Sequence, residues 1–285
     1  MDFDEISNVV PWIEMATDIG IDLDADQVVE PRVFKTHFWY PSVPKGAGKY
    51  IVVFRDPNDV AVSFYNFFKG WFFPAEGDDS VSVDDFVEHF ILRRGKPKSD
   101  MENASLWDFM LSWLPLCVND VNAASAATSG GGDDGTDPGR ARAASTMPSI
   151  SSSTMLIFFE DMKDDLQTVV SKVAAFIGVD DDERVQNAVR MSSFAFMKQH
   201  ERHFDEHVLK AKRNTSCGLP PEAGTNITKV SGVQQTRDAV QLSPAIQSAL
   251  NERWARSVAA ETGFESYAAM RRALGISKRS ENTAL

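Results

Sequence analysis

Three short clusters in this 285-residue chain carry side chains able to do chemistry, and each stands at or just after a short apolar run. Lys35-Thr36-His37 joins an ammonium to an imidazole. Arg55-Asp56-Pro57 sets a guanidinium beside a carboxylate and leads to Ser63, and Glu160-Asp161-Met162 adds two further acids. In open α/β sheets ligands bind outside the carboxyl ends of the strands, so residues at such positions form a coherent candidate set. A fourth cluster, His200, His203 and His207, contains three of the 5 histidines at helix-compatible spacing beside Glu201, Asp205 and Glu206. It could bind zinc, but Phe204 breaks the His-Glu-x-x-His pattern, and a solvated, charged helix face is the reading the spacing favours over a metal site. Residue types alone leave alternatives open: Arg55 also reads as the partner of Asp56 or Asp59 in a surface ion pair, and His37 as a core histidine.

The elements that must position these residues are strands and helices in alternation. Strands are expected at Arg32 to Phe38, Tyr50 to Phe54 and Met155 to Phe159; the last two are continuous apolar runs of the kind buried in parallel sheets. Each of these two precedes a helical pattern. Val60, Phe64, Phe67, Phe68 and Trp71 follow the first, and Leu166, Val169, Val170, Val173, Phe176 and Ile177 follow the second, both ending near a glycine. Further helices are expected at Val83 to Leu92, Leu106 to Cys117 and Pro244 to Thr262. The alternation argues an α/β fold with a central parallel sheet flanked by helices. Between Asn119 and Ser153, 22 of 35 residues are Gly, Ala, Ser or Thr. That stretch reads as a flexible low-complexity insertion (119–153) within a single domain (1–285), because lengthening a surface loop costs only about 0.6 kcal/mol per doubling.

With 29 Lys+Arg against 41 Asp+Glu the formal net charge is −12, which argues against a nonspecific nucleic-acid binder or a polybasic membrane-surface protein. The longest nearly apolar run, Phe109 to Val118, is far short of the roughly 20 residues needed to span a bilayer. Two cysteines, Cys117 and Cys217, suit a reducing compartment and no disulfide framework, so cytoplasm is the expected location. Lys45-Gly-Ala-Gly-Lys49 lacks the spacing of a phosphate loop and precedes a strand, so it is expected to form a turn.

Lys35-Thr36-His37, the block from Lys49 through Arg55 to Ser63-Phe-Tyr65, Phe158-Phe-Glu-Asp-Met162 and Ser192-Ser-Phe194, in this order and spacing, closely resemble the cytosolic-type sulfotransferases over roughly residues 8 to 270 outside the insertion. The resemblance implies a P-loop-NTPase-like sheet and transfer of a sulfuryl group from 3′-phosphoadenosine 5′-phosphosulfate (PAPS) to a hydroxyl or amine, the acceptor being a small alcohol, phenol or amine. It implies His37 as general base and Lys35 as the cation at the bridging phosphate oxygen. Arg55 and Ser63 match the residues that hold the 3′-phosphate, and Phe159, Ser192 and Phe194 those that contact the adenine. Lys229-Val-Ser-Gly232 stands where the family has an Arg/Lys-x-Gly turn over the 3′-phosphate. Trp39, Tyr40, Phe68, Trp71 and Phe72 are candidates for an apolar acceptor pocket, or for core. One departure stands out: residues 1–34 contain no lysine and one glycine, Gly20, and so hold nothing like the family's 5′-phosphosulfate loop. The sequence therefore reads as N-terminally truncated, with little turnover expected of the isolated chain. A noncatalytic module of the same fold, binding a nucleotide or a partner protein, is the alternative.

Overall fold

Tyr50–Phe54 and Thr154–Phe158 pair as parallel strands β1 and β2, in register from Tyr50 opposite Thr154 to Phe54 opposite Phe158. This is a computed structural model that describes residues 3–46, 48–99, 102–128, 153–225, 227–230 and 240–276. Among the described residues the sheet has two strands. β1 is covered on one face: Val52 and Phe54 are buried, whereas Ile51 and Val53 are 41% and 44% exposed, so its unbroken apolar run does not correspond to two-sided burial.

The strand expected at Arg32 to Phe38 is a single parallel bridge, Lys35 to Trp12. Lys35 N–H donates to Pro11 O and Ile13 N–H to Lys35 O, both at 2.9 Å. Beyond that point side chains take the donors a ladder would need. Glu14 accepts the His37 backbone N–H and Thr36 Oγ1 accepts that of Phe38. Local side-chain acceptors of this kind compete with sheet pairing.

The helices are α1 (Ala16–Ile19), α2 (Pro57–Phe68), α3 (Val83–Phe86), α4 (Leu106–Thr128), α5 (Phe159–Asp164), α6 (Leu166–Ile177), α7 (Asp182–Ser192), α8 (Phe194–Gln199), α9 (His207–Arg213), α10 (Pro244–Trp254), α11 (Ala260–Thr262) and α12 (Tyr267–Leu274). Their ends follow the sequence. Asp56 caps α2 through Asn58 N–H with Pro57 at the first turn, Asp165 caps α6 through Thr168 N–H, and Gly178 closes α6 at φ 86°. α3 runs on as a π-helical turn, Val87–Leu92, and α10 does the same at Ala255–Ala259. α4 continues to Thr128, into the Ala-rich start of the low-complexity segment, and residues 129–152 of that segment lie outside the described residues. No helix among the described residues is long and apolar enough to cross a membrane.

The main core joins both strands to α2, α4, α10 and α12 through Phe54, Phe158, Trp107, Met110, Leu250 and Met270. The acids after β2 serve this packing. Asp161, 1% exposed, accepts from Arg271 Nε and Ile276 N–H at 2.8 Å each, and Glu160 accepts the Tyr267 hydroxyl, so both hold the α12 region against the strand ends. Removing one partner of a buried ion pair leaves the other uncompensated. Asp161→Asn is expected to cost about 2–3 kcal/mol, below the fully buried range because Arg271 is partly exposed. Thermal unfolding should show Tm lower by roughly 5–10 °C; an unchanged Tm would assign the pair no structural role.

Candidate functional site

Because β1 and β2 run parallel and in register, the residues that follow them emerge at the same sheet edge. Arg55, just after β1, lays its guanidinium over the ring of Phe159, just after β2, with Cζ 4.4 Å from the centroid. Its one ion pair among the described residues is to Asp59 at 3.7 Å, one turn into α2. Arg55 Nε is buried and has no hydrogen-bond partner. A buried cationic donor without an acceptor is costly and marks a place where an anionic ligand would be favoured. Ser63 lies exposed on α2, two turns beyond Arg55.

The second group gathers on the bridge between Trp12 and Lys35. Lys35 Nζ lies over the Trp12 ring, 3.8 Å from its centroid, and His37 packs edge-on against the same ring at 5.0 Å. Glu14 Oε1, which accepts the His37 backbone N–H, is 4.0 Å from Nδ1. That is too long for a hydrogen bond, so the contact from Glu14 to His37 is through the backbone N–H. Burial, together with the charges of Lys35 and Lys229, pushes the His37 pKa down to about 4, although 51% of the side chain remains exposed to solvent. The imidazole is therefore neutral at pH 7. Burial and the nearby Lys229 charge push Lys35 down to about 8, against the opposing pull of Glu206.

Glu206 joins the two lysines. Its Oε1 is 3.2 Å from Lys35 Nζ and accepts a hydrogen bond from Lys229 Nζ as well. Burial works to raise the pKa of this carboxyl, but Lys229 and Lys35 outweigh it and hold Glu206 below the usual carboxylate range. Its backbone sits at φ 61°, in the left-handed region, a strain of order 1 kcal/mol for a residue with a Cβ. The chain beyond Glu206 is tightly packed. Lys210 of α9 donates to Gly224 O at 2.8 Å, and Asn214 accepts from Trp71 Nε1 at 2.9 Å. Gly224, at φ 74°, has no room for a side chain, since a Cβ there would lie 2.8 Å from Trp71 Cγ. These contacts lead the chain to Lys229, which also faces Phe67 near the end of α2 at 5.7 Å.

The histidine cluster does not form one face. A 3-10 turn, Glu201–Phe204, and the left-handed Glu206 break the helix that spacing suggested. His200 stacks on Phe196, His203 Nδ1 meets Phe3 O at 2.7 Å, and His207 lies between Asp205 (2.6 Å) and Asp4 (2.9 Å). Although burial opposes it, hydrogen bonds donated by the ring to Asp4 and Asp205 raise the His207 pKa, which favours a charged latch between the N-terminal segment and α9. Among the described residues the set whose atoms converge is Glu5, Asp205 and His207, so two of the three expected histidines are not part of it.

Lys35, His37 and Lys229 thus come together, as do Arg55 and Phe159. Arg55 contacts Asp59 and Phe159, whereas Lys229 contacts Glu206, Trp12 and Phe67 and acts electrostatically on His37. Ser192 ends α7 and Phe194 begins α8; Phe194 is 54% exposed, which removes core packing as its explanation. Gly232 lies outside the described residues. Of the aromatic candidates, Trp71 is buried, Phe68 packs on Phe86 and Phe90, Tyr40 packs on Trp113, and Trp39 donates to Ser42, while Phe72 is exposed. Sequence reasoning missed Trp12, Glu14 and Glu206. Trp12 and Glu14 lie more than twenty residues from His37 with no periodic link to it, and Glu206 looked like one charge among many.

The profile of the sulfotransferase domain family matches residues 2–119 and 149–219. Sulfotransferase 1E1 of Cavia porcellus is 27% identical over 202 residues, 68% of this chain and 54% of that protein. Sulfotransferase 6B1 of Mus musculus is 24% identical over 173 residues (59% and 44%), and the amine sulfotransferase of Oryctolagus cuniculus 26% over 182 residues (62% and 46%). The chain spans about half the length of the curated relatives it matches. The crystal structure of mouse sulfotransferase SULT7A1 complexed with PAP aligns with a TM-score of 0.49 at 19% identity, covering 95% of this chain and 84% of that one. With the family profile covering most of its length, this chain belongs to the sulfotransferase family.

Proposed function

We propose that the chain carries the transfer and nucleotide-binding residues of a PAPS-dependent sulfotransferase acting on a hydroxyl or amine of a small-molecule acceptor. The observation that carries this reading is the placing of His37 and Lys35 against the same Trp12 ring, with Lys229 converging on the carboxylate oxygen of Glu206 that Lys35 also meets. The residues fit the nucleotide donor: the unpartnered Arg55 Nε and the stacked Phe159 ring offer a phosphate donor and a base-stacking face at one edge. When bound, PAPS supplies an activated sulfur and a phosphate leaving group.

The His37 imidazole accepts the acceptor's proton as its oxygen or nitrogen bonds to sulfur, the bond from sulfur to the phosphate oxygen breaks, and the charge left on that oxygen is met by Lys35. Trp12 fixes the imidazole plane. An anion at the two lysines offsets the charges that depress His37, so its basicity rises toward neutral when the donor is in place. Ser63, two turns further along α2, adds a neutral donor for the 3′-phosphate, and Ser192 and Phe194 serve the adenine.

Calorimetric titration with adenosine 3′,5′-bisphosphate tests the nucleotide half directly. One-to-one binding is expected. A folded protein that gives no binding heat would reject this reading, and binding without donor-dependent sulfation of any phenol, alcohol or amine would select a noncatalytic nucleotide-binding module instead.

A further inference from the structure

Glu206 is 1% exposed and stands at the N-terminus of α9, yet its side chain makes no hydrogen bond to that helix. A carboxylate at a helix start ordinarily caps the free N–H groups. This one turns to Lys35 and Lys229 instead, from a left-handed backbone position that a side chain disfavours. The two lysines come from segments nearly two hundred residues apart and converge on a single carboxylate oxygen next to His37. Left without it, two ammonium groups so close would repel each other and shed a proton or separate.

We infer that Glu206 is a positioning residue of the transfer site, whose carboxylate holds the Lys35 and Lys229 ammonium groups adjacent to each other beside His37, so that the pair forms the receptor for the donor's anionic end. This rests on the sulfuryl-transfer reading. Two ammonium groups against one carboxylate leave the cluster net positive, so it still attracts an anion, and the lysines are held in place before the anion arrives. Lys35 is faced by Glu206 from the start of α9, by Lys229 from the 227–230 segment, and by Trp12 and His37 from its own bridge. Of these, burial and Lys229 disfavour the ammonium, and Glu206 opposes them in part.

Titration of the lysine Nζ signals by NMR on isotope-labelled, ligand-free protein reads Lys35 without relying on any bound nucleotide, with the resonance assigned by Lys35→Arg. Lys35 is expected to titrate near 8 in the wild type. In Glu206→Gln it should fall by about 1 unit or more, with Glu206→Asp close to wild type. The alkaline loss of adenosine 3′,5′-bisphosphate affinity should move down in pH by the same amount, which a merely structural residue would not produce. If Glu206→Gln does not fold, Lys229→Gln supplies the opposite sign: removing the like charge should raise Lys35. An unmoved Lys35 in either folded variant overturns the inference. A normal Lys35 response in a folded wild type that binds no nucleotide overturns the transfer reading, and with it the donor-receiving role.

Discussion

Replacing His37 by alanine is expected to lower the weak sulfuryl transfer expected of the isolated chain by about 10²–10⁴-fold in kcat, the range measured when a positioned proton acceptor is removed. Affinity for adenosine 3′,5′-bisphosphate should change little, because in the proposed reaction the imidazole serves the acceptor rather than the nucleotide. The same side chain predicts a pH profile. With the His37 pKa pushed down to about 4, the base is already neutral above that pH, and with Lys35 pushed down to about 8, its charge is lost as pH rises through 8. The free-enzyme parameter kcat/KM should therefore rise through about pH 4, hold a plateau, and fall through about pH 8. Lys35→Arg should remove the alkaline limb, since a guanidinium stays charged throughout. A His37→Ala variant that retains wild-type kcat would end the base assignment, and an alkaline limb that survives Lys35→Arg would move that ionisation to another group.

Arg55→Ala carries the second large effect. Charge-assisted hydrogen bonds contribute about 1.5–3 kcal/mol, so nucleotide Kd should rise by about 10- to 150-fold. Arg55→Lys should recover only part of this, because a point charge replaces a fork that meets two phosphate oxygens. The competing explanation is structural, since Arg55 also pairs with Asp59 and stacks on Phe159. Those contacts are weak: the Asp59 side chain is largely solvent-exposed and such pairs contribute about 0–1 kcal/mol. The two explanations separate cleanly in calorimetry and thermal melts performed on the same variant. A nucleotide-binding loss with nearly unchanged Tm supports the phosphate role, whereas lowered Tm with unchanged Kd would reduce Arg55 to a surface tie.

Much of the framework was legible in one dimension. Parallel β1 and β2, the helices that follow them and the glycine at the end of α6 follow from short apolar runs and helical spacing, which act within a few residues. The pairing of Arg55 with Phe159 was implicit too, because residues that end adjacent parallel strands must meet at one edge. Local rules failed at Arg32 to Phe38, where Thr36 and Glu14 take the backbone donors and leave one bridge in place of a strand. They failed again at His200 to His207, where the turn at Glu206 sends each histidine to a different partner.

What the sequence by itself determined is the family pattern: that Arg55 and Phe159 follow the two strands, and that Lys35 and His37 stand together in one short motif. What only the tertiary structure decided is their electrical state. A pKa depends on every charge and every desolvating surface within several ångströms, whatever their separation along the chain. Burial, Lys35 and Lys229 lower the His37 pKa against the pull of Glu206, and Trp12, Glu206 and Lys229 reach Lys35 from distant segments, which draws the two lysines onto one buried carboxylate.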